Sequence, residues 1–346
     1  MIDYITLDFN STVPKYIQII DSIIHNISRG HFKIGDKMPS ISNMSSKFYI
    51  SRDTVERAYT VLKKKKVIVS VQGKGTYVAE TGLSYKPKIL FFVNKLSQYK
   101  MKVYNSFLEK MGDSVQVDLR SYHCDETLFL EQMDKHISTY DYFVIIPHFR
   151  TENLSHTNFT DKVSQVINKI PNEHLILLDN ESHQIEGDFI EVFQDFENDI
   201  FKALEIGKEK IRKYNKLTLV YPKTSFYPYP RKIVDGFRRY CLRYQFDFEI
   251  VEEISNDLML ESKNLYITID DDDLVHLMKS IKESDFMLGS DVGVISYNDT
   301  PLKQILGVTV ISSDFKAMGE QSAKMIIDNK REKIKAHFYF MDRGSI

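Results

Sequence analysis

Ser51, Arg52, Thr54 and Arg57 stand close together in SRDTVERAY, and further on Lys74 stands between two glycines in GKG. Hydroxyls and guanidinium groups at the start of a helix can reach base edges and phosphates, and a lysine on a glycine-set turn can project outward toward a backbone phosphate. The chemistry on offer is recognition of a nucleic acid. A second set lies further along, just after short apolar runs: Asn94, Lys95 and Tyr99; His148 and Arg150; Asp195; Tyr227, Tyr229 and Arg231; Asp270 and Asp271; Asn298 and Asp299. Carboxylates and amides grip hydroxyls, an arginine offers a fork and aromatic rings offer faces, which suits a polyol or sugar. One by one such residues also cap helices; only their convergence points to a ligand.

The first set needs two helices and a β-ribbon to position it. Apolar residues recur at helical spacing from Val13 to Arg29 (Tyr16, Ile19, Ile20, Ile23, Ile24, Ile27), with Pro14 suited to the first turn and Gly30 to the stop. Gly35 and Pro39 turn the chain into a second helix with Ser40 as N-cap, and Ser51 caps a third whose apolar stripe is Val55, Ala58, Tyr59 and Leu62. VIVSV and TYVAE then read as strands flanking the Gly73–Gly75 turn. Four lysines, Lys63 to Lys66, fall between helix and ribbon; alone they would only complement a helix dipole, but beside this motif they read as phosphate contacts. Residues 1–82 carry 12 Lys+Arg against 7 Asp+Glu, net +5, whereas the remainder is net −7. That asymmetry marks a nucleic-acid module joined to an ordinary domain.

The stretch 12–80 resembles the GntR family of bacterial transcription factors, through PKYIQI, ISRG, GDKMPS, SRDTVERAY and GKGTYV in order. The resemblance implies a winged helix-turn-helix over 1–80, with Arg52 and Thr54 touching DNA, Lys74 at the wing, and Ser40, Ser42, Ser51, Arg57 and Lys65 around them. Where the family places an arginine two residues after Pro-Ser, this chain has Ser42, so that either Ser42 makes a weaker phosphate hydrogen bond or another base, Lys47, compensates; where the family often has glycine, it has Lys66.

After a linker at 81–87, apolar strands alternate with helical stretches from KILFFV to VGVISY, the pattern of parallel α/β layers in two lobes. Ligands in such sheets bind beyond the carboxyl ends of the strands. This part resembles the periplasmic-binding-protein-like effector domain of the LacI/GalR family, best over LYITIDDDDLVHLMKSIKESDFMLGSDVGVISYNDTP and also in VFQDFENDIFKAL and PRKIVDGFRRY. The resemblance implies lobe 1 at about 88–213 and 299–324, lobe 2 at about 214–298 and 325–342, and effector contacts at Asn94, Tyr99, Asp195, Arg231, Asp270 and Asn298. Arg231 carries the most weight, from its spacing to the glycine of DGF; Asp270 and Asn298 exchange the family's usual amide and carboxylate. A GntR-type reader with a LacI-type sensor is the arrangement of the arabinose repressors of Bacillus-type bacteria, and implies a sugar effector. The expectation is a homodimeric, cytoplasmic regulator on a near-palindromic duplex operator, with no cofactor.

Other classes fit less well. DDDD at 270–273 with His276 lacks the glycine and terminal glutamate of a calcium loop, and no Cys/His spacing suits zinc, so no metal is expected. No glycine-rich phosphate loop follows a strand. Two cysteines make no disulfide framework, and the apolar runs are too short to span a bilayer. A pyridoxal-phosphate aminotransferase-like domain would be longer and would need a lysine site that is not evident. An enzyme-like C-terminal domain, or a DNA binder indifferent to small molecules, are the alternatives.

Overall fold

The computed structural model describes residues 1–9, 13–28, 30–79, 86–137, 139–223, 225–255 and 259–346. The chain divides into two compact units, Met1–Pro87 with Asp134–Tyr140, and Lys88–Met133 with Asp141–Ile346. Most of the expected linker, and Arg29 at the end of the first expected helix, lie outside the described residues.

In the first unit, α1 (Lys15–Ser28) buries Ile19, Ile20 and Ile23. α2 (Ile41–Phe48) and α3 (Arg52–Lys64) each open on a serine: Ser40 Oγ accepts from the Asn43 N–H at 3.1 Å, and Ser51 Oγ from the Thr54 N–H at 3.2 Å. These caps satisfy N–H groups that a helix start leaves without an intrahelical partner. The α3 stripe Val55, Ala58, Tyr59 and Leu62 is buried with α1 and Met44 in one core, and the Tyr59 hydroxyl donates to the Pro39 carbonyl at 2.6 Å, tying α3 to the start of α2. α3 ends in a Schellman turn: Val67 N–H to Leu62 O and Lys66 N–H to Lys63 O, both 2.9 Å, with Lys66 at φ 57°. β1 (Ile68–Val71) and β2 (Gly75–Val78) form the antiparallel ribbon, Ile68 opposite Val78. The Met38 N–H donates to Thr76 O at 2.8 Å, so the ribbon is anchored to the segment before α2. Gly75 has φ 117°, and a Cβ there would lie 3.0 Å from Lys37 Cε.

From Lys88 onward the chain runs β3 (Lys88–Val93), α4 (Gln98–Met111), β4 (Gln116–Ser121), α5 (Glu126–His136), β5 (Tyr142–Ile145), a hairpin of two-residue strands β6 (Phe149–Arg150) and β7 (His156–Thr157), α6 (Asp161–Ile167), β8 (Leu175–Asn180) and β9 (Ile190–Gln194). It continues α7 (Phe196–Ile206), α8 (Lys208–Ile211), β10 (Lys216–Val220), α9 (Lys232–Tyr244), β11 (Asp247–Val251), β12 (Asn264–Thr268), α10 (Asp271–Glu283), β13 (Val292–Tyr297), α11 (Pro301–Ile305), β14 (Thr309–Ser313), α12 (Phe315–Ile327), β15 (Lys333–Lys335) and β16 (Phe338–Met341). Two six-stranded sheets result, ordered β15-β9-β8-β5-β3-β4 and β11-β10-β12-β13-β14-β16, parallel throughout except for β14 against β16. The central strands are buried along their whole length, as parallel sheets covered on both faces require.

The lobe boundaries differ from those expected. The chain leaves lobe 1 between β9 and α7, not after residue 213, because α7 and α8 bury Ile200, Leu204 and Ile211 with Leu217, Phe237 and Tyr240 of lobe 2. β14, expected in lobe 1, pairs with β13 in lobe 2, Ile295 opposite Thr309. α12 returns to lobe 1, where Phe315 and Met318 pack with Val103 and Phe107. β15, expected in lobe 2, pairs with β9 in lobe 1, and β16 goes back to lobe 2. Three crossings therefore lie side by side, at 194–196, 313–315 and 335–338, stitched by Ala336 N–H to Phe193 O at 2.7 Å, Asp314 N–H to His337 O at 2.8 Å, and a hydrogen bond between Ser313 and Gln194.

Candidate DNA-reading surface and ligand cleft

On the first unit, Ser40, Ser42, Ser51, Arg52, Arg57, Lys65 and Lys74 are exposed and Thr54 is half-buried. Several have partners within the unit. Ser51 Oγ and Thr54 Oγ1 lie 2.7 Å apart, so the two hydroxyls share a hydrogen bond beside the first turn of α3. The Arg57 guanidinium sits 4.0 Å from the Tyr16 ring centre, which directs it to α1. Lys47, offered as the substitute base, pairs with Asp3 at 2.9 Å. Arg52 and Lys74 make no ion pair with a described residue. Lys74 N–H closes the ribbon turn onto Val71 O at 3.0 Å, leaving its side chain exposed at the tip.

On the second unit a cleft opens between the lobes at the carboxyl ends of both sheets, with about 650 Å³ of empty space, part of it open to solvent. Of the six expected contacts, Asn94, Tyr99 and Asn298 line it; Asp195, Arg231 and Asp270 do not. Asp195 caps α7, accepting from the Asn198 N–H at 3.3 Å and side-chain amide at 2.6 Å. Arg231 is exposed at the start of α9. The glycine that lent it weight serves packing instead. A Cβ on Gly236 would lie 2.2 Å from Glu197 O, so the residue lets α9 press on α7. Asp270 stands one residue behind the cleft wall, accepting the Tyr229 hydroxyl at 2.9 Å.

At the mouth, side chains of the loop after β10 touch lobe 1. The Phe226 ring lies 3.9 Å from the Arg150 guanidinium, the Tyr227 hydroxyl is 3.1 Å from His123 Nδ1, and the Tyr99 hydroxyl donates across the cleft to Asp271 at 3.3 Å.

The comparisons bear on each unit separately. Residues 15–78 match the family described as bacterial regulatory proteins, gntR family. The N-terminal unit is a gntR-family domain. Over 96 residues the chain is 36% identical to the mannosyl-D-glycerate transport/metabolism system repressor of Escherichia coli, covering 28% of this chain and 40% of that one. Over 77 residues it is 35% identical to the arabinose metabolism transcriptional repressor of Geobacillus stearothermophilus, covering 22% and 20%. The chain thus spans less than half the length of these curated relatives. The second unit's fold is that of a LacI family transcriptional regulator from Lactobacillus casei with bound glucose (TM-score 0.58, 12% identity, 75% of this chain and 99% of that one). A LacI family regulator from Silicibacter pomeroyi agrees as closely (TM-score 0.60, 11% identity, 75% and 98%). At that identity the likeness is one of fold.

Within the second unit, the cleft contains a polar group that sequence reasoning passed over. Lys100, on α4, forms an ion pair with Asp179 near the end of β8; Gln194 donates to the other carboxylate oxygen, and His148 Nε2 lies 3.4 Å from Asp179. Burial alone would raise the Asp179 carboxyl, but the Lys100 ammonium and His148 more than reverse it and hold the group well below the usual carboxylate range. Burial pushes His148 down, so its neutral ring presents Nε2–H to Asp179 and leaves Nδ1 as an acceptor. A signal was available: Lys100 stands in the apolar stripe of α4 with Val103, Phe107 and Met111, and a lysine on a core face demands a buried partner. Aromatic and apolar walls complete the cleft, with Tyr99 stacked on Phe315 at 5.6 Å and Ile233 and Ile269 opposite. Asn298, at φ 64°, is held by Lys303, whose Nζ donates to Asn298 O at 3.1 Å and Tyr297 O at 2.6 Å.

Proposed function

We propose that the chain is a sequence-specific DNA-binding transcriptional regulator, acting as a repressor, whose operator affinity is set by a small carbohydrate bound between the lobes of its second unit. The observation that carries this is the joining, in one chain, of a gntR-family domain at 15–78 to a LacI-like two-lobed fold with a polar, aromatic-walled cleft at its strand ends. The names of the relatives point the same way, since two are repressors of sugar metabolism and one structural neighbour holds glucose. The protein acts by binding rather than turnover, on cytoplasmic DNA.

The reader is proposed to use Arg52 and the Ser51–Thr54 pair at the start of α3 for bases and phosphates, with Lys74 on a backbone phosphate. One such domain offers few contacts, so a homodimer on a near-palindromic site supplies the rest. The test is selection of duplex DNA from a random pool by the full-length protein, followed by anisotropy titration. An enriched inverted repeat, bound by the wild-type chain and lost with Arg52→Ala, is the expected result; enrichment of no sequence would refute the regulator reading.

A further inference from the structure

Three lysines and three aspartates stand around the cleft, and not all of them are paired. Asp179 is taken by Lys100, Gln194 and His148. Asp271 lies 2.7 Å from Lys303 and accepts from Tyr99, and Asp270 accepts from Tyr229. Lys95 has no carboxylate within ion-pair distance among the described residues; its ammonium sits 5.2 and 5.3 Å from the Tyr227 and Tyr229 ring centres. Burial and then the nearby Lys100 lower its pKa, only partly offset by Asp270 and Asp271 at longer range, so the cation is held at a disadvantage that an incoming anion relieves.

Lys95 also stands just before α4, a 14-residue helix whose N-cap Ser97 lines the same cavity. The free N–H groups and dipole of a helix start favour negative charge. Two residues that line the cavity each bury a polar atom that lacks a partner among the described residues. Asn94 is 3% exposed and its Oδ1 accepts nothing; His148 is 7% exposed and its Nδ1 accepts nothing. Buried acceptors left open are costly unless a ligand donor fills them.

Resting on the carbohydrate reading above, we infer that the ligand is an anionic carbohydrate, a sugar acid or sugar phosphate. Its anionic group lies against Lys95 at the start of α4 while its hydroxyls donate to Asn94 Oδ1 and His148 Nδ1. A neutral sugar would satisfy the acceptors and leave Lys95 with only the more distant Asp270 and Asp271 as counter-charge.

The experiment is calorimetric titration of the full-length protein with matched sets: neutral pentoses and hexoses, their uronates and aldonates, and their terminal phosphates, with inorganic phosphate alone as a control. Wild type is compared with Lys95→Met and Lys95→Arg. The expected result is that one acid or phosphate binds at least about tenfold more tightly than its neutral parent, that Lys95→Met removes the difference, and that Lys95→Arg largely keeps it. The carboxylate and phosphate arms tell which anion is read. Circular dichroism and the thermal midpoint verify that each variant folds. Equal binding of a neutral parent, or an anion preference that survives Lys95→Met, overturns the inference while leaving the carbohydrate reading intact. Silence across the neutral and anionic sets alike overturns both.

Discussion

Asp179 and Lys100 are each almost wholly buried, and each makes the other tolerable. Removing one charge of a buried pair leaves the other desolvated and uncompensated, which typically costs about 3–5 kcal/mol. Asp179→Asn is therefore expected to lower unfolding stability by about that amount, read by urea denaturation followed by circular dichroism, since the chain has no tryptophan to report. A loss well under 1 kcal/mol would mean Lys100 finds another partner or water. The neighbouring His148 makes a separate prediction with a defined sign. Its folded pKa is lowered by burial, so the unfolded chain binds the proton more readily. The stability it contributes is complete above about pH 6.5, its unfolded value, and falls as pH drops toward the folded pKa. Protonation is opposed by Lys100 and Lys95 and favoured by Asp179, with the His156 ring packed 4.2 Å away. Urea midpoints at pH 7.5 and 5.5 should differ, and His148→Gln should shrink the difference. On the reading surface, Arg52→Ala should abolish specific binding. Lys74→Ala should weaken all sequences alike and reduce the salt slope by about one unit at most.

Among elements, the turn after α3 carries a strained residue. Lys66 occupies C′ of a Schellman motif at φ 57°, where an L side chain costs roughly 1 kcal/mol relative to glycine. Lys66→Gly is expected to raise the stability of the gntR domain by about that much. A destabilised variant would show that the Lys66 side chain does more for the fold than the backbone conformation takes away. The glycine that the family often has here thus gains a physical reason that the sequence alone did not supply. Elements with strong local signals were legible: the serine caps, the helical stripes and the largely apolar central strands fall where periodicity and capping place them. The route between the lobes was not legible, because sheet membership depends on pairing between distant segments. β14 reads the same whether it joins one sheet or the other, and β15 and β16 have three and four residues, too short for a pattern. The site divided similarly. Asn94, Tyr99 and Asn298 were visible as residues just beyond strand ends. Asp179 and Gln194 lie within strands, and only the fold brings them to Lys100.

At the scale of the whole molecule, the proposed function ties two binding events to one chain, and thermodynamics constrains them without any assumption about how the units are arranged. If ligand changes operator affinity by some factor, operator must change ligand affinity by the same factor, because both routes lead to the same ternary complex. Typical couplings of about 1–3 kcal/mol correspond to roughly 5- to 150-fold. The measurement is a square of four titrations at one salt concentration: operator with and without saturating ligand, and ligand with and without saturating operator. Salt must be held fixed, since phosphate contacts make the operator leg steeply salt-dependent while a ligand enclosed in the cleft depends on it far less. Equal factors on opposite sides close the square and establish the second unit as the sensor for the first. Unequal factors require a third linked equilibrium, and the proposed homodimer supplies the natural one. Repeating the square across protein concentrations then separates the cases, because only a dimerisation step makes the mismatch vanish as the protein becomes fully associated. A factor of one on both sides would leave a ligand-binding protein and a DNA-binding protein sharing a chain without communication, and the regulatory reading would fail even though both sites were real.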